Sequence, residues 1–251
     1  MLLVAVAVAA LEIHREFASP ADWSHQLDDP NPGRRAEALD RFSLTTDRWP
    51  VPLPCASLAE RLRDTAVRDR ARPAVSRVVA SGACVSEVLA VADKDSSAST
   101  RATIARTLAF VPAHHYRTVL PRLISWTRRK DSSATSAVVA LGQLGDTSVV
   151  ARAAIEDAFA IGNLDTRREA VDAIARVGSI NHLLRVADAA RQDTSAEIRA
   201  ASIRALLMLQ GRPEVRRALL AQLRALDGDT TPAVRVAVRE ARRQVERSNE
   251  R

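Results

Sequence analysis

Only two cysteines, Cys55 and Cys84, stand in 251 residues. They allow no multi-bridge framework, and neither belongs to a CxxC pair, so the usual signatures of a redox or zinc centre are missing. Buried free thiols are the expectation for both, with a single bridge as the alternative. Aromatic residues make up 3% of the chain, too few to wall a large planar ligand. Glycine and proline number 8 and 11 and fall mostly between apolar-periodic segments, which excludes low-complexity or linker character. Lysine occurs only at Lys94 and Lys130, so arginine supplies the other 35 of 37 basic residues. The longest uninterrupted apolar run is Met1 to Leu11, shorter than the roughly 20 residues a membrane-spanning helix needs.

That opening run, MLLVAVAVAAL, is set off as an N-terminal segment of residues 1–22. It lacks the basic residues that precede a secretory signal's apolar region, so a packed or anchoring helix is expected rather than a cleaved signal. The cytoplasm is the expected compartment, with export or membrane contact through residues 1–11 as the alternatives. Ser19 and Pro20 are placed to cap and open the next helix.

What is present is a repeating phrase. DSSASTR (Asp95 to Arg101), DTSAEIR (Asp193 to Arg199) and DTTPAVR (Asp229 to Arg235) each set an Asp six residues before an Arg, ahead of an Ala-rich apolar run. The Asp can cap a helix and the Arg sits in its first turns. Weaker copies lie at Asp29 to Arg35, at Asp64 to Arg68, at Asp131 with the Arg replaced by Ala137, and at Asp165 to Arg168. The Arg slots at 35, 68, 101, 137, 168, 199 and 235 step by 33, 33, 36, 31, 31 and 36. A helical hairpin of that length cannot bury its apolar face alone and must stack on the next, so the expected fold is all-α, an α-solenoid across residues 23–251.

The phrase and its period resemble HEAT-repeat proteins, from about Asp29 to the C-terminus. Val119-Leu120-Pro121-Arg122-Leu123-Ile124 is similar to the proline-containing first helix of HEAT units. The resemblance implies a right-handed α-solenoid of six to seven hairpins. It also implies a ladder joining neighbouring repeats through Asp29, Arg35, Arg68, Asp95, Arg101, Asp131, Arg168, Asp193, Arg199, Asp229 and Arg235. Second helices line the concave side in that family. A partner would then meet Arg106, Glu169, Asp172, Arg176, Arg204, Arg239 and Arg243, whose mixed charge suits a protein.

Chemistry-bearing motifs are scarce. No two of His14, His25, His114, His115 and His182 have the i, i+4 spacing that holds a metal on one helix face, and paired His-Glu motifs of HEAT-like iron hydroxylases do not occur. GxSxG, GxxxxGK[ST] and GxGxxG are missing. Glu169 and Asp172 lie i, i+3 among arginines, a pattern of helix-surface pairing. No catalytic residue, cofactor, metal or small-molecule substrate is therefore implied.

The net charge of +7 with an isoelectric point near 10.7 keeps nucleic acid in view. On the last helix Arg235, Arg239, Arg242, Arg243 and Arg247 fall within an arc of about 140°, opposite Val234, Ala237, Val238, Ala241 and Val245. Arg128-Arg129-Lys130 closes the helix carrying Trp126, which could stack on a base or clamp a peptide. The expectation is thus a non-enzymatic scaffold for a protein partner. The alternative is a DNA-binding protein, or an enzyme like the alkylpurine glycosylases, with a basic concave surface; a tetrapyrrole lyase would need more aromatics.

Overall fold

A computed structural model describes residues 20–44, 49–145, 148–177, 180–209 and 213–249. The apolar run 1–11 and the Ser19 cap lie outside them, as does the side chain of His182. The described residues form helices without a strand. They fall into two compact units, one reaching to Pro112 and one running from Ala113 onward.

The first unit holds α1 (Pro20–Gln26), α2 (Pro32–Leu44), α3 (Cys55–Glu60), α4 (Arg68–Ala80), α5 (Val85–Lys94) and α6 (Ala98–Leu108). The second begins with a short 3-10 turn, Ala113–His115, which carries His114 and His115. It continues with α7 (Tyr116–Thr127), α8 (Ser132–Leu144), α9 (Val149–Ile161), α10 (Leu164–Val177), α11 (Ile180–Gln192), α12 (Ala196–Met208), α13 (Pro213–Ala225) and α14 (Pro232–Asn249).

Local chemistry starts and stops these helices. Ser97, Asp131, Ser148 and Ser195 each accept a backbone N–H from the first turn they precede, satisfying donors that no helical carbonyl can reach. Gly145 ends α8 at φ +66°, a left-handed position that costs glycine no Cβ clash.

Most helices pack on their hairpin partner and on the helix two further along in the same unit. In the first unit α2 meets α4, α4 meets α6, and α3 meets α5. In the second, α8 meets α10, α10 meets α12, and α12 meets α14, while α7 meets α9 and α11 meets α13. Two layers result within each unit. Ala-rich faces such as Ala134, Ala137 and Ala140 of α8 and Ala170 and Ala173 of α10 are buried, which lets neighbouring axes approach closely. α14 buries only one stripe: Val234, Ala237, Val238, Ala241 and Val245.

The cysteines are joined. Cys55 opens α3 and Cys84 precedes α5 at φ +60°, and their Cα atoms lie 5.0 Å apart in a disulfide. This is the alternative to the buried free thiols expected of two cysteines outside any CxxC pair. α3 has six residues and gives way to turns from Arg61, whereas α5 has ten; both cysteines stand at the starts of their helices, and the α3–α5 contact brings the sulfurs together.

Candidate functional site

The joints between hairpins contain a network of polar links. Asp29, Asp64, Asp95, Asp131, Asp193 and Asp229 each accept the backbone N–H two residues on, which folds the turn. Arg35 and Arg199 then reach back six residues, to the carbonyls of Asp29 and Asp193, and Arg68 does the same to Leu62. Sideways, Arg35 Nε meets Asp64 at 2.8 Å, and Arg199 meets Asp229 through Nε at 3.1 Å.

Several members differ from those the repeat phrase nominates. Arg63, not Arg68, pairs with Asp95 at 3.1 Å, whereas Arg68 donates to the Ser99 hydroxyl. At the Gly162 joint Arg167 reaches Asp193, while Arg168 stays local with Asp165 and Glu169. The two arginines differ by about 100° around the helix, and only the first points toward the next turn. Asn163, not Asp165, caps α10 through Thr166 N at 2.9 Å; an Asn three residues before a Thr was the available signal. Where Ala137 replaces the arginine, the hydroxyls of Thr135 and Thr166 meet at 2.8 Å. Arg101 is buried and donates to the Ser96 carbonyl, and Arg235 is exposed on α14.

The open side of the second unit's even-numbered helices gathers most of the nominated surface residues. Glu169 and Asp172 are half-buried on α10, with Arg176 exposed a turn further on. Arg204 is exposed on α12, and Arg239 and Arg243 on α14. Burial pushes the Asp172 carboxyl above its ordinary value and the Glu169 charge adds to the shift, while Arg176, Arg204 and Arg168 pull the other way. Side chains of α10 and α12 therefore share one electrostatic field.

Three nominated residues stand elsewhere. Arg106 is exposed on α6 of the first unit. Trp126 is only 6% exposed, because it shares a helix face with Val119 and Leu123 that turns into the interior, so it offers no ring to a base or a peptide. Arg242 folds onto the end of α13, donating to the Leu223 carbonyl and Asp227, which removes it from the basic arc.

A cavity of about 420 Å³ opens between α9, α10 and α11, floored by Phe159, Ile174 and Val186. Its carboxylates are all paired: Glu156 with Arg185 at 2.7 Å, the exposed Asp188 with Arg191 at 3.4 Å, and Asp193 with Arg167, whose guanidinium also lies 5.6 Å from the Phe159 ring centroid. Among the described residues no group of three or more His, Cys, Asp or Glu side chains is arranged to hold a metal ion. Nor is any described helix long and apolar enough to cross a membrane.

No protein-family model matches the chain, and no curated protein matches it in sequence.

Proposed function

We propose that each unit is a run of HEAT-like hairpins, of the right-handed α-solenoid type, and that the protein is a scaffold without catalysis of its own. The partner is a protein, held on the open side of α10, α12 and α14. The carrying observation is the row of both charge signs there: Glu169 and Asp172 on one helix, Arg176, Arg204, Arg239 and Arg243 at its end and on the next two. Two carboxylates beside four arginines give the row both signs, which suits a complementary protein surface better than a uniform polyanion. The hairpin-to-hairpin links through Arg35, Arg63, Arg167 and Arg199 support the HEAT-like reading. Burial of Trp126 weighs against a base-stacking, glycosylase-like site.

Amine-reactive crosslinkers are poorly suited to a chain with two lysines. A photoreactive residue at position 204, 239 or 243 in the full chain is expected to form adducts with the partner, and Arg204→Glu with Arg243→Glu to abolish them. Adducts arising only from 153 or 217, on α9 and α13, would remove the proposed face. Duplex DNA binding that weakens steeply as salt rises would replace the protein partner with nucleic acid.

A further inference from the structure

The outer side of α7 has a pattern unlike the mixed-charge row. Arg117, Leu120, Pro121, Ile124, Ser125 and Arg128 project within an arc of about 140° at 3.6 residues per turn. Together with Tyr116, Ser148 and Val150 they line an open groove of about 490 Å³. Leu120 and Ile124 are half-buried along it, Pro121 is exposed, and Val149 and Val150 at the start of α9 are 73% and 62% exposed. The Tyr116 hydroxyl donates to the Leu144 carbonyl at 2.7 Å, which fixes the ring as one end of the groove. The opposite face of α7 buries Val119, Leu123 and Trp126, so the helix cannot rotate to hide this strip.

Charge decides what such a strip accepts. Arg117 and Arg128 are exposed eleven residues apart, roughly 16 Å along the helix axis and only about 20° apart around it. No acidic residue lines the groove among the described residues. We infer that this groove between α7 and α9 docks an amphipathic helix of a partner protein that carries carboxylates at both ends of its apolar stripe. Its apolar residues would lie on Leu120, Pro121, Ile124 and Val150, and its two carboxylates would meet the two guanidiniums. Leu120 and Ile124 lie recessed between the exposed Pro121 and Val150, a trough that fits a rod better than a flat lipid surface. The site stands whether or not the row on α10, α12 and α14 binds anything.

The test uses the full chain and a fluorescein-labelled helical peptide of about five turns, with a leucine stripe flanked at both ends by glutamates. Polarisation is expected to show saturable binding, weakened at least roughly tenfold when the flanking glutamates are replaced by lysines. Arg117→Glu with Arg128→Glu is expected to reverse that preference. Ile124→Glu is expected to abolish binding while the helical circular dichroism spectrum persists, since this side chain is not in the core. Absence of saturable binding, equal affinity for both peptides, or indifference to Ile124→Glu overturns the proposal. So does binding of phosphatidylcholine–phosphatidylglycerol vesicles through the same residues in place of the peptide, which would assign the strip to a membrane surface.

Discussion

Gly142→Ala sets two well-known effects against each other on one side chain. Gly142 lies inside α8, where alanine is intrinsically preferred to glycine by about 1 kcal/mol. A Cβ placed on it, however, would come within 2.8 Å of Ala173 Cβ and 3.0 Å of Ala173 Cα on α10. Carbon atoms prefer roughly 3.5–4.0 Å, so α8 and α10 would have to part by about 1 Å. Neither contact is the far end of a flexible chain, so no rotamer change relieves it. Overpacking of this kind costs about 1–3 kcal/mol, and α8 pivoting away would disturb its whole buried face as well. Because neither contact can yield, the packing cost falls in the upper part of that range, about 2–3 kcal/mol, and a net destabilisation of about 1–2 kcal/mol is expected. Urea unfolding followed by far-UV circular dichroism measures it, and hydrogen exchange should place faster opening in α8 and α10. Gly228→Ala is the control: nothing lies within 4 Å of a Cβ there, so its midpoint should hold or rise. If Gly142→Ala is as stable as the parent or more so, the close approach of the two helices is wrong.

Cys55→Ser with Cys84→Ser, or reduction, removes a cross-link between residues 29 apart and is expected to destabilise the first unit by about 2–4 kcal/mol; an unchanged urea midpoint after reduction would contradict the bridge. Arg199→Ala strips two links from Asp229 and one each from the Asp193 and Thr194 carbonyls and the Thr231 hydroxyl, and a loss of about 2–3 kcal/mol is expected, with Arg199→Lys losing about half of that. The pH dependence has two signs. Asp95 is held below its ordinary value, first by the Ser97 amide and also by Arg63. For Asp229, burial opposes ionisation but is outweighed by the Thr231 amide and hydroxyl and by Arg199. The stability these two contribute is full above the unfolded carboxylate value of about 3.9 and is lost as pH falls through their lower folded values. Asp172 runs the other way: its raised folded value means that ionisation opposes folding at neutral pH, and the opposition shrinks as pH falls below that value and is gone below the unfolded value of about 3.9. Urea midpoints from pH 3 to 7 should therefore fall in acid for the parent, fall at pH 7 for Asp229→Asn, and rise at pH 7 for Asp172→Asn. If Asp172→Asn destabilises at pH 7, the burial assigned to that carboxyl is wrong.

The helices and their joints were legible in the sequence because the forces that set them are local. An Asp that accepts the amide two residues on acts within a few residues of itself, although at α6 and α12 it folds the turn and the cap expected of it is made by Ser97 and Ser195. The apolar stripe of α14 was legible as well, since its five buried residues follow from 3.6-residue periodicity alone. Across the chain, contacts depend on how far each helix is rotated and where its neighbour ends, and neither is written in a period of 31 to 36 residues. One residue of rotation gives Asp193 to Arg167 instead of Arg168. The α3–α5 contact brings Cys55 onto Cys84. The inward turn of one α7 face buries Trp126, and the same turn leaves Leu120, Pro121 and Ile124 facing out between two arginines. Composition and period thus determined an all-helical chain with capped, polar joints; tertiary packing alone decided which charges are consumed in holding the joints and which remain exposed on the surface.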